Sequence, residues 1–212
     1  MNVNYREDKT LARIHKKHTD AMSAKRKNRQ LRAGKEFAKK KNLVTFVPGL
    51  SATKQIDIPM SALNLPAYEA KINEENGKLR IFDSLRKCYV ALTPEEWVRQ
   101  HFVNFLTEHK GYPTALTANE VAIKLNETSR RCDTVVYDKL LRPRVIIEYK
   151  APTVKITKEV FAQISRYNLV LKVDYLIISN GLQHYCCKMD YEKQNFTFLQ
   201  EIPEYSQIIA QE

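Results

Sequence analysis

Glycine and proline are scarce in this sequence, 5 and 8 residues in 212. That composition excludes a collagen-like or low-complexity chain. No apolar run approaches the roughly 20 residues that span a bilayer, so no membrane association is expected. The N-terminus is charged with no apolar stretch behind it, which is not how a secretory signal is built; a cytoplasmic protein is the expectation. The four cysteines, Cys88, Cys132, Cys186 and Cys187, lack metal-type spacing. Adjacent Cys186 and Cys187 point to opposite faces of any strand, so they suit neither a mutual disulfide nor a shared zinc. Reduced thiols are the simplest reading. No Gly-x4-Gly-Lys-Ser/Thr phosphate loop occurs, and no ATP site is expected.

What is present divides into two parts. Apolar residues make up 43% of the chain, enough for one core plus an extension. The net charge is +11, but residues 1–59 hold 15 basic and 5 acidic residues and so account for +10 of it. The rest is close to neutral, and its function cannot be argued from bulk charge. Residues 6–41 are poor in apolar side chains and end in a basic block, so a disordered or partly helical arm is expected, with a helix that folds on nucleic acid as the sharper alternative. Composition changes at Met60, which is a candidate true start. The domain boundary is therefore set at 1–59 and 60–212.

From Leu79 the pattern becomes regular. Segments 79–84 and 87–92 alternate about Leu85-Arg86 and predict a strand pair. Thr93 is a good N-cap, Pro94 suits the first helical position, and Glu96 completes a capping box. Trp97, Val98, His101, Phe102, Phe105 and Leu106 follow at helical spacing until Lys110-Gly111. Three strands come next: an irregular one within 114–125, then 131–137 and 144–149, the last two joined by a polar Pro-containing turn as an antiparallel hairpin. Thr157 opens a second helix through Leu171, with Val160, Phe161, Ile164, Tyr167 and Leu171 on its apolar face. A buried strand at 175–178 and alternating runs at 184–188 and 196–199 close the pattern. The expectation is an α/β arrangement, an α+β sandwich with one central mixed sheet flanked by helices.

Three polar residues stand where these strands should be apolar. Asp133 precedes Thr-Val-Val, and Glu148-Tyr149-Lys150 ends Val-Ile-Ile. Glu148 and Lys150, two apart, share a face. If the two strands form a hairpin, Asp133 can lie beside Glu148 on that face. Two carboxylates together are costly, and a divalent cation relieves the repulsion. Mg²⁺ needs only one or two carboxylates and keeps its waters; one water can then attack a phosphate whose charge the metal shields. Lys150 would orient that water and add positive field. A strand-ending Glu-X-Lys is commonplace by itself, and it is the fourteen-residue gap from Asp133 that gives the set its meaning.

That arrangement resembles the PD-(D/E)XK nuclease superfamily, with its restriction-endonuclease-like core. The runs RRCDTVVYD, VIIEYKAP and QISRY resemble, more closely, the N-terminal domain of type I restriction enzyme R subunits over roughly residues 79–200. The resemblance implies a metal-dependent endodeoxyribonuclease that uses Mg²⁺ or Mn²⁺. Asp133 and Glu148 would bind the metal together with the main-chain carbonyl of Tyr149, and Lys150 would be catalytic. Gln163 and Tyr167, one helical turn apart, would contact DNA or orient Lys150. Glu96 would complete the metal site through water. Cys132 stands at the variable Pro position. Since no helicase motif is present, the expectation is a nuclease domain without its motor, acting alone or with a separate motor or specificity protein. The alternative is a non-catalytic nucleic-acid-binding or accessory module. Sequence specificity and oligomeric state leave no motif.

Overall fold

The computed structural model describes residues 62–125 and 128–210. The basic arm at 1–59 and the candidate start at Met60 lie outside the described residues.

A small antiparallel sheet comes first: β1 (Ile72–Glu75), β2 (Lys78–Asp83) and β3 (Cys88–Ala91), in that order. Asn76 and Gly77 both adopt positive φ, 53° and 73°, the backbone of the two-residue hairpin turn whose twist matches its strands. The pair at 79–92 thus carries a third strand and forms a sheet of its own, where the sequence pointed to a single sheet. Its apolar face is small. Ala70, Ile72 and Ile81 close over Trp97 as a cluster apart from the main core.

Helix α1 (Pro94–His109) follows directly. Thr93 caps it by accepting from Glu96 N at 3.0 Å, a contact worth about 1 kcal/mol. The return half of the expected capping box is replaced: the Glu96 carboxylate turns to Gln100 Nε2 at 2.8 Å. A short 3-10 turn (Thr114–Leu116) leads into the main sheet.

That sheet has six strands in sequence order: β4 (Thr117–Leu125), β5 (Thr128–Tyr137), β6 (Pro143–Tyr149), β7 (Tyr175–Ser179), β8 (His184–Asp190) and β9 (Asn195–Leu199). All neighbours are antiparallel except β6 and β7, which are parallel. A parallel pair needs a crossover, and α2 (Lys158–Leu171) supplies it. The alternation of side chains decides what each face meets. Val136, Val145, Ile147, Tyr149, Tyr175, Ile177 and Cys186 pack with Val98, Phe102 and Leu106 of α1. Val135, Ile146, Leu176, Ile178 and Cys187 pack with Ile164 of α2 on the other side. Cys186 and Cys187 therefore do face opposite ways, and none of the four cysteines is in a disulfide. A terminal helix, α3 (Tyr205–Ile209), adds Tyr205 and Ile208 to the α1 side. The molecule is an α+β sandwich about one mixed sheet, with the small sheet beside α1. Among the described residues no helix is long and apolar enough to cross a membrane.

Gly181 closes the turn between β7 and β8 at φ +79°, where a Cβ would stand 2.6 Å from Leu63 Cδ2. Residues 63 and 64 belong to this fold: Asn64 N donates to Gly181 O at 2.7 Å.

Candidate active site

The site forms where β5 and β6 part. Their ladder ends at Thr134 opposite Ile147. One step further, the same register sets Asp133 opposite Glu148, on one face of the sheet. There the Asp133 side chain enters the ladder: its Oδ2 accepts from Tyr149 N at 2.8 Å. Lys150 Nζ donates to Glu148 Oε1 at 2.8 Å. The structure therefore brings together Asp133, Glu148 and Lys150, two carboxylates and one ammonium at the end of two strands.

Electrostatics follow from the surroundings. Glu148 is only 3% exposed, and burial followed by the Asp133 charge pushes its carboxyl up to about 7. Burial also raises Asp133, more than Arg99, the Tyr149 N–H and Lys150 pull it down. Lys150 loses to burial but gains more from its hydrogen bond to Glu148 and the charges of Glu148, Glu95 and Asp133, so its ammonium is held above the ordinary range. Burial, then Glu148 and Asp133, push the neighbouring Cys132 thiol up to about 12, and it stays protonated.

Helix α1 supplies a second layer. Arg99, 3% exposed, reaches Asp133 Oδ1 through Nη2 at 3.1 Å and Glu96 Oε2 through Nη1 at 3.4 Å. Its Nη1 also donates to Glu120, and its guanidinium lies 5.7 Å from the centre of the Tyr149 ring. Burial works against the Arg99 charge, but Asp133, Glu96 and Glu120 overcome it and raise its pKa further. Glu120 sits at φ 58° where the β4–β5 ladder skips a pair between Asn119–Thr134 and Val121–Cys132. That irregularity turns its carboxylate back toward α1.

Of the two acidic residues that begin α1, Glu96 is engaged with Gln100, Arg99 and, at 3.6 Å, Arg86. Glu95 is the one that shares the field of the pair: burial raises its carboxyl, followed by the Asp133 charge, against Lys150 and Arg99. Beneath them a polar chain crosses the core. Arg86 Nε meets Asp83 Oδ2 at 2.6 Å, Asn119 donates to the same oxygen at 2.9 Å, and Thr134 donates to Asn119 Oδ1 at 2.6 Å. It ties the small sheet to the strand that carries Asp133. Gln163 and Tyr167 fall within α2, but their side chains lie outside the described residues.

Among the described residues no three His, Cys, Asp or Glu side chains gather closely enough to hold a metal by themselves. The set that fits a cation is the pair Asp133 and Glu148, which suits an ion that keeps most of its waters.

Sequence reasoning missed Arg99, Glu120, Glu95 and the Asp83 network. Arg99 carried one signal, an arginine three residues after Glu96 in a helix whose residues 96–103 are all buried. Glu120 had none, since a left-handed residue inside a strand leaves no local pattern when it is a glutamate.

A mixed sheet between helices, with an acidic pair at the open end of a hairpin, defines an α+β sandwich with a strand-end site. Residues 94–203, just over half of the chain, match the family described as the N terminus of type I restriction enzyme R protein, and the chain belongs to that family. A solved fragment of a protein assigned as an HsdR subunit of a type I restriction enzyme from Vibrio vulnificus YJ016 is similar at 15% identity and a TM-score of 0.42, over 56% of this chain and 25% of that one. No curated protein sequence matches the chain.

Proposed function

We propose that residues 62–210 form a divalent-cation-dependent nuclease domain that hydrolyses phosphodiester bonds in DNA. The observation that carries this reading is the pair of half-buried Asp133 and buried Glu148, set opposite each other by strand register with Lys150 bonded to Glu148. Two adjacent carboxylates, Asp133 raising the proton affinity of Glu148, suit a cation, and their number fits Mg²⁺, with Mn²⁺ as substitute. When bound, the ion would neutralise charge on the scissile phosphate and activate water there.

The chain's own groups do the rest. The Tyr149 N–H fixes the angle of the Asp133 carboxylate. Its main-chain carbonyl is proposed as a further ligand. Lys150 keeps its proton, so it serves as a donor to a phosphate oxygen or to the attacking water, and not as the base. Glu96 is proposed to reach the ion through water, and Glu95, whose charge acts on Glu148, to add a second outer carboxylate. Gln163 and Tyr167 are proposed to meet DNA from α2. A motor or specificity protein, of the kind the family description implies, is the proposed partner.

The test is cleavage of linear, circular and single-stranded DNA with and without Mg²⁺. Wild type should cut only with metal, and Lys150→Ala should not cut while keeping its fold. If wild type and Lys150→Ala behave alike, the enzyme reading fails. A second reading is a non-catalytic nucleic-acid-binding or accessory module. One observation favours it: Asp133 and Glu148 already have internal counter-charges in Arg99 and Lys150, as a purely structural ion-pair network would.

A further inference from the structure

We propose that Arg99 is the resident counter-cation of this site: a positioning residue that holds Asp133 while no metal is bound and gives up that contact when a divalent cation binds. The inference rests on the metal-binding reading above.

Both oxygens of Asp133 are engaged, Oδ2 by the Tyr149 N–H and Oδ1 by Arg99. The first donor is main chain in a strand and cannot leave without breaking the sheet. The second is a side chain with freedom to shift. A cation that takes Oδ1 must therefore displace or share with Arg99, and like charges at this range repel in a poorly solvated site.

Arg99 has somewhere to go. Its Nη1 already engages Glu120 and Glu96. Its Nε is buried without a hydrogen-bond partner among the described residues, so the guanidinium is under-satisfied where it stands. Losing Asp133 leaves it two carboxylates from two different elements, and the charge is not stranded. The positive φ at Glu120 has a use in this scheme, since the carboxylate of this left-handed residue meets the far side of Arg99. The fork of a guanidinium is needed to span Glu120 and Asp133 at once, which a lysine ammonium cannot do.

A purely structural role predicts the opposite outcome. If Arg99 merely propped Asp133 in place, removing it would loosen the site and weaken metal binding. As a competitor, its removal should strengthen binding. The sign of one affinity change separates the two.

The experiment measures Mn²⁺ binding to full-length, metal-stripped protein by electron paramagnetic resonance and calorimetry, with circular dichroism to verify folding. Arg99→Met keeps an unbranched apolar stem and loses the charge, and should bind Mn²⁺ about tenfold or more tightly than wild type. It should also melt lower without metal and gain more on adding it. Arg99→Lys keeps the charge and is the variant that decides if Arg99→Met fails to fold; it too should bind Mn²⁺ more tightly than wild type. Folded variants that bind with unchanged or weaker affinity overturn the proposal while leaving the metal site intact. Wild type that binds no Mn²⁺ overturns both.

Discussion

A carboxylate buried beside another carboxylate is the residue-scale fact on which the chemistry turns. The Glu148 carboxyl rises from its ordinary 4.5 to about 7 through burial and the Asp133 charge. Between those values the folded protein binds more protons at this site than the unfolded chain does. Stability should therefore fall as pH rises through that window. On the proposed metal-binding reading a divalent cation would replace the proton, so the decline should vanish with Mg²⁺ present. Melting curves from pH 4.5 to 7.5 in chelator and in Mg²⁺ check this; identical profiles would mean that no cation reaches Glu148. Lys150, by contrast, stands one residue past the end of β6 with its side chain half-buried. Lys150→Ala should lower cleavage by orders of magnitude and shift the melting temperature little, as assay and calorimetry together would reveal.

At the scale of elements, the caps and turns carry testable weight. Thr93→Ala removes the hydrogen bond to Glu96 N and should cost about 1 kcal/mol in denaturant unfolding. Because the start of α1 also positions Glu95 and Arg99, activity should drop by more than that stability change alone explains. Gly181→Ala forces a Cβ into the left-handed region and against Leu63, and should cost at least about 1 kcal/mol. Much of this architecture was legible beforehand. Helix α1 announced itself through Thr93-Pro94 and a 3.6-residue apolar period, and β6 and β7 through their Val/Ile runs. Strand β1 escaped notice because only Ile72 of its four residues is apolar, although Asn76-Gly77 is a strong hairpin signal. The small sheet's separation from the main one is set by contacts with Trp97, which no local pattern displays.

For the whole molecule, the division of charge matters most. The described part is nearly neutral, while residues 1–59 carry most of the excess. Removing 1–59 should weaken DNA binding and flatten its salt dependence, because counterion release scales with the number of phosphates contacted. An unchanged salt slope would assign binding to the domain itself. The convergence of Asp133, Glu148 and Lys150 was legible from spacing because one hairpin register brings them together. Arg99 was not, since it reaches Asp133 across 34 positions of sequence and two layers of the fold.

Crystals of the protein soaked with Mn²⁺ and measured at the manganese absorption edge would be most direct. An anomalous peak between the carboxylates of Asp133 and Glu148, lost in Asp133→Asn, is the expected result. A structure with those two side chains still bonded to Arg99 and Lys150, and no manganese between them under saturating conditions, would contradict the account.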